Sequence, residues 1–115
     1  MRGPAPCQGL AARAIIAAME PLTTDLSNDR GRPYFLWDEQ RTTGEFREAL
    51  ATASPQERYR QIGKLMREAR DTDVWKFVTP AEVWASFDAI RPFLGRRRAF
   101  WEYLLNGWHR DGFLP

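Results

Sequence analysis

Ser54-Pro55-Gln56-Glu57-Arg58-Tyr59-Arg60-Gln61-Ile62-Gly63-Lys64-Leu65-Met66-Arg67-Glu68-Ala69-Arg70 carries its own punctuation. Ser54 stands three places before Glu57, the spacing of a capping box. In that motif the hydroxyl accepts from an early backbone N–H while the carboxylate reaches back to the N–H of the cap. Pro55 falls at the first helical position, where a missing N–H costs nothing. Tyr59, Ile62, Leu65, Met66 and Ala69 then recur on one stripe, opposite Arg60, Lys64, Arg67 and Glu68. The stretch predicts an amphipathic helix from Pro55 to about Arg70.

The same punctuation occurs on both sides of it. Thr42-Thr43-Gly44-Glu45 predicts a helix over 43–53 that buries Phe46, Ala49 and Leu50. Thr79-Pro80-Ala81-Glu82 predicts one over 80–90 that buries Val83, Trp84 and Phe87. Pro92 and Gly95 mark a further boundary, after which a last helix spans 96–108. Ala99, Phe100, Trp101, Tyr103, Leu104, Leu105 and Trp108 are too many apolar residues for one stripe of it. That helix is therefore central to a bundle or turns a second face to another protein. Asp71-Thr72-Asp73 breaks the chain before Val74-Trp75-Lys76-Phe77, a short helical turn or extended link. Pro33-Tyr34-Phe35-Leu36-Trp37-Asp38 is too short for a helix and reads as an extended segment laid across the core.

All fifteen aromatics lie between Tyr34 and Phe113. Aromatic side chains supply large buried areas, so residues 33–113 are expected to form one helical interaction domain. Its core should include Trp37, Leu65, Trp75, Trp84, Phe87, Phe100 and Leu104. Residues 20–33 are rich in turn formers and read as a linker. Before them, residues 1–18 are a frayed tail, or are not translated if synthesis starts at Met19. The continuous apolar run Ala14–Met19 is short for a signal peptide. The fold class expected is all-α, a compact bundle of four to five short helices preceded by a flexible segment over 1–32. So small a domain leaves self-association open, because it buries a modest fraction of its surface.

Charge and chemistry narrow the function by exclusion. The net charge of +2 is too balanced to require a polyanionic partner. Fifteen of the basic residues are arginine, against Lys64 and Lys76. Arginine suits protein interfaces and phosphates alike, and a codon bias explains the same excess. One cysteine, Cys7, excludes an internal disulfide or a cysteine-rich zinc site and fits a reducing cytoplasm. No apolar run is long enough to cross a bilayer. His109 is the single histidine, and a helix C-terminus accommodates it without catalysis. Asp71 and Asp73 lack the rest of a calcium loop and fit a helix cap. No phosphate loop, nucleophile elbow or zinc motif is present. The sequence predicts no catalytic residue, cofactor or metal, hence a non-enzyme.

Two partner classes remain. Arg96, Arg97 and Arg98 beside a helix start could grip phosphates, as a DNA-binding regulator would. Against that, the helix turns at once to Ala99-Phe100-Trp101, where a DNA-reading helix needs polar side chains. The alternative is a protein partner held by Arg96, Arg97, Arg98, Trp101, Tyr103 and Trp108, residue types that anchor interfaces.

Three segments together carry a resemblance: Tyr34-Phe35-Leu36-Trp37-Asp38, Ile62-Gly63 through Val74-Trp75, and Phe100-Trp101-Glu102-Tyr103-Leu104-Leu105. This order resembles a family of small bacterial proteins with a domain of unknown function, often encoded beside abortive-infection-type nucleotidyltransferase toxins. It covers about residues 33–108, and its motifs are packing motifs. The resemblance implies a small all-α, antitoxin-like protein that binds and restrains a nucleotidyltransferase, with Arg96, Arg97 and Arg98 facing that enzyme's acidic metal site.

Overall fold

Each predicted helix start can be checked against the bonds at its cap. The computed structural model describes residues 21–115. Six α-helices lie among them: α1 (Thr43–Thr52), α2 (Pro55–Glu68), α3 (Asp71–Val74), α4 (Pro80–Ala85), α5 (Phe87–Ile90) and α6 (Arg98–Arg110). At α1 the Thr42 hydroxyl accepts from Glu45 N at 3.2 Å, and Thr42 N donates to Glu45 Oε1 at 2.8 Å. At α4 the Thr79–Glu82 box is likewise complete. At α2 Ser54 Oγ accepts from Glu57 N at 3.4 Å, while the Glu57 carboxylate turns to Gln61 and Arg60 instead of the cap. The all-α expectation holds, with one small addition: β1 (Leu22–Thr23) and β2 (Arg32–Pro33) form a two-residue parallel pairing.

The chain divides into two compact units between Phe46 and Arg47, inside α1, where the sequence reading drew one domain from residue 33. In the described part of the first unit, residues 21–33 are more than a linker. Leu26 is buried, and Gly31 O and Asp29 O accept from Thr43 N and Gly44 N. Residues 34–36 form a 3-10 turn in place of the expected extended segment. Glu39 N closes the turn on Leu36 O, and the Arg32 guanidinium donates to the carbonyls of Trp37 and Glu39. Phe35 and Leu36 point inward as a result, and Trp37, expected in the core, is 59% exposed. The expectations for residues 1–20, Cys7 and Met19 included, lie outside the described residues.

The second unit is built on α2. Ile62, Leu65, Met66 and Ala69 are buried as expected, together with Val74, Val78, Val83, Phe87, Ile90, Leu94, Trp101 and Leu105. Gly63 allows the 91–93 turn to approach closely: a Cβ there would lie 2.4 Å from Phe93 Cβ. The predicted 80–90 helix is interrupted at Ser86, whose φ of −116° and ψ of 18° leave the helical region. Gly95, at φ 55°, opens a 3-10 turn over Gly95–Arg97, so the last α-helix expected over 96–108 starts at Arg98 and runs to Arg110. The far end of α6 closes with a Schellman motif. Gly112 at φ 88° donates to His109 O, and Phe113 N donates to Trp108 O at 2.8 Å.

The α4 cap also makes a titrating contact. Arg58 Nη2 lies 2.7 Å from Glu82 Oε1. Burial raises the Glu82 pKa, but the bonds from Arg58 and Thr79 and the Arg58 charge outweigh it and bring the pKa below the ordinary 4.5. A carboxylate depressed in this way stabilises the fold above its unfolded pKa and loses that contribution as pH falls through the folded value. Glu82→Gln should therefore melt below the parent at pH 7 and approach it as the pH falls below 4.5 and through the lowered folded pKa. A gap that persists in acid would mean the carboxylate charge is not the cause.

Candidate partner-binding surface

α6 has two unlike faces because only part of its apolar run can be covered. Trp101 and Leu105 point inward and are fully buried. Trp101 Nε1 donates to Met66 O at 2.8 Å, one of the α2 carbonyls that a helix C-terminus leaves without an intrahelical donor. Arg97 reaches the same helix end, donating to Ala69 O at 3.1 Å, with its guanidinium 4.7 Å from the Phe100 ring centroid and 5.6 Å from that of Trp101. A cation at a helix C-terminus is favoured by the dipole. Trp75 packs edge-on against Trp101 with centroids 5.7 Å apart, and lies 5.9 Å from Trp108.

These contacts divide the six expected interface residues. Trp101 belongs to the core and offers nothing to a partner, and Trp108 is half-buried against Trp75. Arg97 is occupied by the end of α2. Arg98 is exposed and pairs with Glu102 at 3.0 Å. Glu102 also lies 3.1 Å from Arg91 Nε, in poor hydrogen-bonding geometry, while Arg91 Nη1 reaches Asp88 at 3.2 Å. Arg96 is exposed and makes no ion pair or hydrogen bond among the described residues. Of the three arginines, two are thus engaged by groups of the chain itself.

Tyr103 is 79% exposed and makes no ring contact or hydrogen bond among the described residues. Phe100, expected in the core, is 38% exposed, with its ring set against Trp101 at 5.0 Å and 76°. Leu104, Trp75 and Trp84, expected in the core, are partly exposed. For Phe100 the cause lies in α6 itself. The Trp101–Met66 bond fixes the rotation of α6 about its axis, so Phe100 falls on the outer side. Ala99, Phe100, Tyr103, Asn106 and Arg110 are all exposed, at helical spacing along one stripe.

His109 stacks on Trp84 with centroids 4.9 Å apart, and its Nδ1 lies 3.2 Å from Leu114 O. It is an exposed residue in the last turn of α6. Asp71 and Asp73 occupy the first turn of α3, whose N-cap is Arg70, so neither is the cap residue itself. Asp73 is buried and lies 3.2 Å from Lys76 Nζ. Among the described residues no three histidine, cysteine or acidic side chains gather, and no helix is long and apolar enough to cross a membrane.

Concavities among the described residues of the second unit include two with aromatic linings. An open cleft of about 630 Å³ runs along the start of α2, lined by Tyr59, Arg60, Pro92 and Phe93 among others. A smaller one of about 330 Å³ lies between Pro80, Trp108, Phe113 and Leu114. The larger cleft is also lined by Ser54 and Glu57, but the Ser54 hydroxyl caps α2 through Glu57 N and the Glu57 carboxylate is held by Gln61 and Arg60. The chain matches no protein-family model, no curated protein and no solved structure.

Proposed function

We propose that the chain is a small cytoplasmic protein-binding domain that acts by association and not by turnover. We further propose that its partner is a nucleotidyltransferase toxin, which it restrains as an antitoxin does. The observation that carries the binding reading is the outer face of α6, where Tyr103 stands in solvent and Phe100 is partly exposed beside it, on a helix whose inner residues Trp101 and Leu105 are fully buried. Exposed aromatics on a rigid element are the anchors from which protein interfaces are built. The choice of partner rests on the resemblance of residues 33–108 to antitoxin-like proteins. The DNA-binding alternative loses support from the arginines themselves, since Arg97 is bonded to Ala69 O and Arg98 to Glu102.

Co-expression with the product of the neighbouring gene, followed by size-exclusion chromatography, tests this reading. A stable complex that survives moderate salt is expected, because apolar anchors would supply most of the affinity. Reversing the charge of Arg96 and Arg98 together should weaken it in part. Arg97 is left in place because it also holds the end of α2. DNA binding would instead fall steeply with salt as counterions return to the duplex. Should the chain bind promoter DNA in that manner and no protein, the regulator takes the place of the antitoxin.

A further inference from the structure

We infer that the docking surface is the outer stripe of α6, and that its occupant is an amphipathic helix of the partner protein with carboxylates flanking an apolar centre. The inference rests on the protein-binding reading and adds the surface and the chemistry of what covers it. The centre of the stripe is Ala99, Phe100, Tyr103 and Gly107. Arg110 lies at one end of it, and Arg96, in the 3-10 turn Gly95–Arg97 that leads into α6, lies just beyond the other, about 20 Å away at the helical rises per residue. No carboxylate falls between them on the stripe. Glu102 lies to its side, held by Arg98 and Arg91, and Asp111 comes only within 3.9 Å of Arg110 Nε.

Three features favour a helix approaching closely. Ala99 and Gly107 stand one turn on either side of Tyr103, so the tyrosine rises between two low positions. Gly107 disfavours its own helix by about 1 kcal/mol relative to alanine. Nothing in the fold requires a glycine there, since a Cβ would meet only Arg110 Nη2 at an ordinary 3.5 Å. Phe100 is held in advance by Arg97 over its ring and Trp101 at its edge. Little side-chain freedom is left to lose on binding.

Charge selects among occupants. A second copy of this chain would set arginine against arginine whichever way the helices ran: Arg96 on Arg110 antiparallel, Arg96 on Arg96 parallel. Duplex DNA would meet a phenyl and a phenol ring where its base edges need polar partners. An acidic amphipathic helix satisfies both ends and the centre.

Two synthetic helical peptides of about four turns test this. Both carry one leucine–alanine stripe, flanked by glutamates in the first and by lysines in the second. Titration of the full chain, followed by amide chemical shifts, should show binding of the glutamate peptide with changes confined to 96–110. Tyr103→Ala should weaken it by about tenfold or more, as loss of a central aromatic anchor does. Gly107→Leu should abolish it while melting no lower than the parent. Arg96→Glu with Arg110→Glu should transfer the preference to the lysine peptide. Equal affinity for both peptides, no binding of either, shifts lying elsewhere, self-association through α6, or displacement of the peptide by duplex DNA would each overturn the inference. A complex with the nucleotidyltransferase that ignores Tyr103→Ala and Gly107→Leu would keep the binding reading and reject this face. Peptide binding without such a complex would do the reverse.

Discussion

Replacing Trp101 with alanine should leave the second unit largely unfolded at room temperature. The indole is fully buried, and losing so large a side chain from a core costs about 3–5 kcal/mol. A folding unit of this size holds on the order of 5 kcal/mol in total. Trp101→Phe separates the two parts of that cost. It keeps a ring against Trp75 but leaves Met66 O without its donor, which costs about 1–3 kcal/mol. A melting temperature lower by roughly 10 °C is the expected reading for phenylalanine, with no cooperative transition for alanine. Parent-like melting of both variants would mean that the end of α2 is closed by something other than α6.

The second large effect is a sign. Gly63 lies inside α2, where alanine should stabilise a helix by about 1 kcal/mol. Packing opposes this, because the new methyl would lie 2.4 Å from Phe93 Cβ, an atom that cannot swing away because it is bonded to the backbone. The turn at 91–93 would have to retreat from α2, and such overpacking costs about 1–3 kcal/mol. Packing should win in Gly63→Ala and win more heavily in Gly63→Val, both melting below the parent. Phe93→Ala should not rescue either variant, since it retains the offending Cβ, whereas Phe93→Gly should recover part of the loss. A Gly63→Ala protein more stable than its parent would show that the two segments have room to move.

Helix starts were legible because their signals are local. Thr42 with Glu45, Ser54 with Glu57 and Thr79 with Glu82 each name a cap within four residues, and all three helices begin where those residues stand. The inner stripe of α2 was legible for a similar reason, its polar face being unambiguous. The break at Ser86 was not, because the serine makes no side-chain cap bond and no proline or glycine marks the place.

The candidate surface depended on information that the sequence does not hold locally. Seven apolar residues between 99 and 108 permit several rotations of the last helix. The one adopted is selected by the Met66 carbonyl, thirty-five residues away along the chain. Trp101 was consequently placed at the surface and Phe100 in the core, the reverse of what is found. Trp37 failed in the same way: the capture of its carbonyl by Arg32 converts an extended segment into a tight turn. Arg96 and Arg110 were visible as residues, but the exposed helix face that lies between them appears only once the rotation is known.

The contact of Trp75 with both Trp101 and Trp108 makes the molecule its own optical gauge. Indoles held this close and tilted against one another couple their transition dipoles, so the folded chain should show a strong near-ultraviolet circular dichroism signal of fixed shape. Two of the three rings sit on the inner and lateral sides of the helix that carries Tyr103. A partner pressing on the outer side would alter that spectrum by tilting the helix, even without touching a tryptophan. Docking could then be followed in unlabelled protein, and a binding event that leaves the spectrum unchanged would be one that leaves the helix where it is.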